Sequence, residues 1–437
     1  MKVAILGCGY VFDLYMATVP RHPIEELTGV ADLRPERTAA VAKAYGVKVY
    51  EDAEAVFADP EVELVINLTS IDAHADLIRR ALEAGKHVYT EKPVTEDPED
   101  VQSLFALAAA RGLQLSAAPC NILSDMVATM RRAVQDGAIG KPRLVYAEFD
   151  DNPVHLMRPQ GWRSRTGAPW PWKDEFEHGC TVEHAGYYLT WLIALFGPVA
   201  RVTAFSKATV PDKAELTGET GVTLTPPDAA DFSVACLDFE SGVTARLTLS
   251  VVAPYDQRFR IIGDAGELST DTYRHFSNPI FVEPFTQLSL NARKARAVRS
   301  NGLLRRLFGV GGRRIALIER PPAPDAPPPP KGIKAWINRA KKNQLGAQDK
   351  CLGPALLAQA IRTGGPSPLP PDFVMHVNEL TMALHRAGTE GRPIRLKTTC
   401  ALPPLEPFAA EAPARRYPRP STLSRLADGL IARLHRH

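Results

Sequence analysis

Lys2-Val-Ala-Ile-Leu-Gly7-Cys-Gly9-Tyr-Val-Phe12 is the stretch that decides the fold. A run of aliphatic residues stops at a glycine, and a second glycine follows two positions on. A strand that ends in such a turn and enters a helix makes a nucleotide-binding βα unit. Gly7 forms the tight turn, and Gly9 lets a pyrophosphate approach the backbone at the helix start. Tyr10 and Val11 continue the turn and are candidate cofactor contacts. Phe12 stands where the fingerprint has Gly or Ala for close helix–sheet packing.

The pattern repeats outward from this unit. Residues 27–31, 64–67, 87–90 and 113–117 read as short apolar strands, and 35–45, 73–84 and 97–110 as helices. The last helix places Val101, Leu104, Phe105 and Ala108 on one face. This alternation predicts an α/β fold with a doubly wound parallel sheet over residues 1–118. Asp32 closes the second strand, about 20 residues beyond the glycines, where an acid binds ribose hydroxyls and repels a 2′-phosphate. The cofactor expected is NAD. NADP is the alternative, because Arg34 could neutralise a phosphate.

Beyond residue 144 the texture changes. Residues 144–149, 199–206, 230–239, 242–252 and 259–262 read as strands, with turns at Glu240-Ser-Gly242 and Gly263-Asp-Ala-Gly266. They predict an open, mostly antiparallel sheet in a second α/β domain. The apolar stretch 187–199 is too short to cross a bilayer and reads as a core helix. Helices are expected at 348–361 and 374–387. The domain plan is therefore 1–118 for the nucleotide, 119–290 with 346–400 for substrate, a basic and proline-rich insertion at 291–345, and a tail at 401–437. The tail ends in an amphipathic helix capped by Ser421, with Leu423, Leu426, Leu430 and Leu434 at helical spacing.

The 437 residues carry 52 Lys+Arg and 49 Asp+Glu, a net charge of +3, with 45% hydrophobic and 23% charged residues. These proportions exclude wholesale disorder and fibrous repeats. They also argue against a nucleic-acid-binding body, and no nucleic-acid motif is present. The charge is uneven, because residues 291–346 hold fourteen Lys/Arg and two acids. Basic, amphipathic pieces of this kind suit an anionic membrane surface, through 291–345 and 421–437, or else a disordered, solvated loop with a helix packed on a partner subunit. Six dispersed cysteines without a Cys-x-x-Cys pair, and no secretory leader at the start, predict a reducing, cytoplasmic setting, to which the basic pieces could add peripheral membrane contact.

Glu91-Lys92-Pro93, taken to follow the fifth strand, resembles the hallmark triplet of the glucose–fructose oxidoreductase/inositol dehydrogenase family (Gfo/Idh/MocA). The glycine turn, the Thr69-Ser-Ile-Asp-Ala-His74 loop, and Gly179-Cys-Thr-Val-Glu183-His-Ala-Gly-Tyr187 are similar to that family's segments. The resemblance covers residues 1–290 and 346–398. It implies a Rossmann domain followed by an open-sheet domain, a held nicotinamide cofactor, and hydride transfer at a sugar, cyclitol or related carbon. It also implies that Thr69, His74, Glu91 and Lys92 contact the cofactor, that Lys92 is catalytic, and that the open sheet joins subunits in a homo-oligomer. A lysine beside the reacting oxygen stabilises the alkoxide that forms with hydride transfer.

The sequence departs from the family at the acid–base pair. Glu183 replaces the usual Asp and Tyr187 the usual His. Glu183 can still bind a substrate hydroxyl. Tyr187 needs a neighbouring cation to act as a proton relay, and Lys92 would be that cation. His184 is the competing relay. In a helix 183 and 187 share a face while 184 points about 100° away, which favours Tyr187. The departures leave three readings: a dehydrogenase or reductase, a redox-neutral NAD-dependent glycosidase or lyase, or a non-catalytic NAD-binding sensor or scaffold.

Trp162, Trp170 and Trp172 fall in one Gly- and Pro-containing loop. Their faces can stack on a sugar, and Arg163 and Arg165 can grip an anion. The same aromatics equally suit core cover or a subunit interface. Trp162, Arg163 and Glu183 are the candidate substrate contacts. His155 and His178 lie nearby, but no dense ligand spacing marks a metal.

Overall fold

A computed structural model describes residues 1–23, 26–218, 221–226, 228–321, 332–333 and 348–434. The proline run 322–330 and the later part of the insertion, with Lys331, Lys334, Trp336, Ile337, Arg339, Lys341 and Lys342, lie outside the described residues.

The first sheet is parallel, with strands β1 (Lys2–Leu6), β2 (Glu26–Ala31), β3 (Leu64–Asn67), β4 (His87–Thr90) and β5 (Leu115–Ala117) in the order β2-β1-β3-β4-β5. Its strands are apolar on both faces because both are covered. Ala4, Leu6, Val65 and Val88 pack with Ile78, Leu82, Leu104 and Phe105 from helices Ile71–Glu83 and Pro98–Ala110. The alternate residues Val3, Ile5, Leu64 and Ile66 face Phe12, Tyr15, Val41 and, from far along the chain, Leu357 and Ala358. Helix Leu352–Thr363 thus covers the first sheet, although residues 346–400 were assigned by sequence to the second domain.

One local reading is corrected. Glu91-Lys92-Pro93 follows β4, the fourth strand, not a fifth. The helix after the glycine turn, Phe12–Met16, is only five residues long. Phe12 is fully buried there against Tyr45, which accounts for a bulky side chain where a small one is usual.

The second sheet has nine strands: β6 (Pro142–Asp150), β7 (Val199–Lys207), β8 (Phe232–Phe239), β9 (Thr244–Ser250), β10 (Phe259–Gly263), β11 (Gly266–Thr270), β12 (Ile280–Pro284), β13 (Arg313–Ile315) and β14 (Ile394–Arg395). The order is β13-β12-β11-β10-β6-β9-β8-β7-β14, antiparallel except for the β6–β9 pair. The sequence reading missed β11 to β14, which are short or lie in segments read as turn, insertion or tail. β13 comes from the basic segment and pairs with β12 at the sheet edge. One face carries helices Trp172–Phe196 and Pro371–Glu390, so burial alternates along β6, β8 and β9. The other face is open and carries Tyr146 flanked by Arg246 and Arg260.

The long helix kinks at Gly179, whose φ of 78° is positive, and the next N–H, that of Cys180, donates to Ala230 O outside the helix at 2.8 Å. Residues 180–196 then run on as one helix, which keeps Glu183 and Tyr187 on a common face.

Candidate active site

The carboxyl ends of the parallel strands open onto one cleft of about 1830 Å³. Pockets for drug-sized ligands measure about 300–1000 Å³, so this cleft has room for a dinucleotide and a second molecule. Its floor follows from strand order. Asp32 comes after β2, Gly7 and Gly9 after β1, Thr69 after β3, and Glu91 and Lys92 after β4. Because the sheet runs β2-β1-β3-β4, these groups lie across the cleft in that order.

The glycine turn is shaped for a polyanion. Gly7 has φ 93°, and a Cβ there would meet Leu68 O at 2.6 Å. A Cβ on Gly9 would meet nothing within 4 Å, so its hydrogen faces open space on the cleft wall. Asp32 ties the turn to β2, since its Oδ2 accepts the Cys8 N–H at 2.7 Å and its Oδ1 accepts the Arg34 N–H at 2.9 Å. The Arg34 guanidinium lies 3.7 Å from the same Oδ1 and is largely exposed. Tyr10 and Val11 line the cleft beside them. These features fit a dinucleotide.

Thr69 is held by Asn67, whose Oδ1 accepts from both its hydroxyl at 2.7 Å and its N–H. His74 is buried and sits against two backbone carbonyls, Pro93 O at 2.8 Å and Thr69 O at 3.2 Å. It braces the Lys92-Pro93 turn against the Thr69 loop and shows only an edge to the cleft. Burial pushes its pKa down, against the pull of those carbonyls.

At the far end Lys92 and Glu183 form a tight ion pair, their side chains 15% and 17% exposed. Burial opposes the Lys92 charge, but the Glu183 carboxylate outweighs it and leaves the pKa above the ordinary lysine value. Burial likewise pushes Glu183 up, and the adjacent ammonium overrides it and holds the carboxyl below its usual range. Both groups are therefore charged near neutrality.

Tyr187 is the meeting point of the site. Its ring stacks on Phe149 at 5.6 Å and lies 4.7 Å from Tyr273. Lys92 Nζ lies 5.9 Å and Lys350 Nζ 6.0 Å from the ring centre. His184 also lines the cleft, its ring centre 6.5 Å from that of Tyr187. It packs against Phe149 and places Nε2 3.0 Å from Glu175 Oε1. Burial lowers its pKa, and Glu175 more than restores it, so the net shift is upward.

Lys350 was not found from sequence. It sits just before helix Leu352–Thr363, which carries it back to the first sheet, and no periodicity or motif marks it. Its Nζ is 3.5 Å from Glu91 Oε1, and Glu91 also accepts from Tyr15 OH at 2.8 Å. Also missed were Asp151 and Arg274, paired at 2.5 Å on the cleft wall. His178 donates toward Glu96 at 3.0 Å, and that contact raises its pKa.

The tryptophan loop divides. Trp162 and Trp170, with ring centres 5.0 Å apart, line the cleft with Arg163. Trp172 packs on Phe176 instead. Arg165 sits over the Tyr45 ring at 5.0 Å and does not line the cleft, which corrects its reading as an anion grip. The loop is pinned by Asp13, whose Oδ2 accepts from both Thr166 N–H and Thr166 Oγ1. His155 is buried away from the cleft. Among the described residues, no group of three or more His, Cys, Asp or Glu could hold a metal ion.

Residues 1–118 match the oxidoreductase family with an NAD-binding Rossmann fold, and residues 127–269 match the Gfo/Idh/MocA C-terminal domain. The chain belongs to the Gfo/Idh/MocA oxidoreductase family. Within that family it is 26% identical over 291 residues to a dTDP-3,4-didehydro-2,6-dideoxy-alpha-D-glucose 3-reductase of Streptomyces violaceoruber, covering 66% of this chain and 77% of the relative. It is 30% identical over 164 residues to inositol 2-dehydrogenase of Rhizobium meliloti, covering 37% of this chain and 49% of the relative. In fold it is similar to the WlbA dehydrogenase of Bordetella pertussis, solved with NADH and UDP-GlcNAcA. The TM-score is 0.64 at 17% identity, over 91% of this chain and 97% of that one. As a Gfo/Idh/MocA member it is an oxidoreductase with an NAD-binding domain.

Proposed function

We propose that the chain is an NAD-dependent dehydrogenase or reductase acting at a carbinol or carbonyl carbon of a sugar, cyclitol or sugar derivative. The observation that carries this reading is the convergence of Lys92, Glu183 and Tyr187 where the Rossmann cleft meets the second domain. The names of the relatives, a dTDP-sugar reductase and an inositol dehydrogenase, support the substrate class.

A bound nicotinamide supplies or accepts the hydride. The chain's own groups handle the rest. Lys92, kept protonated by Glu183, holds the reacting oxygen and stabilises its developing negative charge. Tyr187 gives or takes the proton of that oxygen, and a phenolate formed in transit is flanked by the Lys92 and Lys350 cations. Glu183 anchors Lys92 and offers a carboxylate to a neighbouring substrate hydroxyl. Trp162 supplies a flat face for the ring, and Arg163 a cation at its rim. Gly7, Gly9, Tyr10, Val11, Asp32, Arg34, Thr69 and Glu91 hold or shape the cofactor, and His74 positions the Lys92 turn.

The open face of the second sheet suits a homo-oligomer contact, and the basic surface described below suits peripheral attachment to an anionic membrane. No helix among the described residues is long and apolar enough to cross one. The test is release of bound nucleotide by denaturation, followed by NADH absorbance on sugars, cyclitols and nucleotide sugars. NAD(H) and turnover of one such class are expected. Product without net NADH change, or bound nucleotide without turnover, would replace this reading.

A further inference from the structure

The chain's basic charge is concentrated in two segments. Residues 291–321 carry nine Lys/Arg against one acid, and residues 412–434 carry five against one. Arg293 and Arg320 pair with Glu283 and Glu406. The seven cations between Lys294 and Arg314 are exposed, and among the described residues none of them has an acidic partner.

Large apolar side chains stand among these cations. Helix Gly302–Leu307 turns Leu303 and Leu307 outward, 76% and 57% exposed, beside Arg305 and Arg306. The C-terminal helix Thr422–Leu434 does the same. Among its described side chains Thr422, Arg425, Leu426, Gly429, Leu430 and Arg433 are exposed and fall on one face, while Ser424 is buried. A helix that covers a protein core turns its leucines in and its serines out. Here Leu426 and Leu430 point out and Ser424 points in.

The C-terminal helix docks on helix Gln287–Ala292, with Asp428 Oδ1 accepting the Leu288 N–H at 3.1 Å. Helix Gln287–Ala292 carries the exposed Leu290 and runs directly into the basic segment.

We infer that this surface, formed by residues 290–314 and the outer face of the C-terminal helix, binds the anionic headgroup layer of a lipid bilayer. The arginines meet lipid phosphates, and Leu303, Leu307, Leu426 and Leu430 enter the boundary between headgroups and acyl chains. A nucleic acid would use the charges and leave the leucines in water, so the interleaved leucines favour a bilayer.

The test is co-sedimentation of the full chain with phosphatidylcholine vesicles, with and without phosphatidylglycerol, at low and high salt. Binding is expected only with phosphatidylglycerol, and it should weaken at high salt. Arg305→Glu/Arg306→Glu and Leu426→Ser/Leu430→Ser should each weaken it by about tenfold or more. Both variants should keep wild-type nucleotide binding. Failure to bind phosphatidylglycerol vesicles at low salt would overturn the inference. So would undiminished binding by either variant, or binding to duplex DNA at equal strength and independent of the leucines.

Discussion

Lys350 Nζ lies 3.5 Å from Oε1 of Glu91, so a residue near the end of the chain neutralises the carboxylate beside the lysine of the Glu-Lys-Pro turn. Both side chains are largely buried, at 8% and 11% exposure. Removing one partner of such a pair strands the other, whereas replacing both is often close to neutral. Lys350→Met should therefore lower unfolding stability by roughly 3 kcal/mol, and Lys350→Met/Glu91→Gln should recover most of it. Turnover should stay depressed in the double variant, because the second cation beside Tyr187 is gone. Denaturant melts and steady-state rates separate the two effects.

The two glycines of the turn should fail differently. Gly7→Ala forces a side chain into a left-handed φ and against Leu68 O, and should cost on the order of 3 kcal/mol in stability. Gly9→Ala meets nothing in the protein and should leave stability within about 1 kcal/mol. Its methyl instead occupies the space a pyrophosphate needs. Nucleotide affinity should fall about tenfold or more, as measured by calorimetric titration.

Cofactor choice rests on one charge. Asp32→Asn keeps an acceptor for the Cys8 N–H but removes the repulsion of a 2′-phosphate, with Arg34 close by. The ratio of kcat/KM for NADP to that for NAD should rise by about tenfold or more.

His184 and Glu175 give a pH signature in stability. The folded pKa of His184 is raised because, despite burial, Glu175 faces its ring. The proton is bound more tightly in the folded state. The stabilisation is complete below the unfolded histidine value of about 6.5 and is lost as pH rises through the folded value. Glu175→Gln should flatten this part of the curve of Tm against pH.

Much of this site was legible in the sequence because it lies in contiguous motifs. The glycine turn, Asp32, the Thr69 loop, the Glu-Lys-Pro triplet and the Glu183–Tyr187 face are each set by local structure, and all of them line the cleft. Helix Pro98–Ala110 was legible for the same reason, since Val101, Leu104, Phe105 and Ala108 share a face and are all buried. Lys350, Asp151 and Arg274 were not legible. They reach the site through long-range packing, and a single lysine before a helix carries no local signal of burial. Arg165 misled because its neighbours in sequence line the cleft while its own side chain turns to Tyr45. The edge strand Arg313–Ile315 was hidden because its pairing with β12 is what makes it a strand.

The central claim is that the Lys92–Glu183 pair drives proton and hydride chemistry at a substrate oxygen. Lys92→Met/Glu183→Gln removes both buried charges together, which spares the fold the cost of one left unpaired. The decisive measurement is the single-turnover rate of NADH absorbance change with the best sugar or cyclitol substrate, compared between this variant and the wild type, both loaded with cofactor. The account predicts a loss of about a hundredfold or more, with nucleotide affinity and melting temperature near those of the wild type. A variant that turns over at close to the wild-type rate would contradict it.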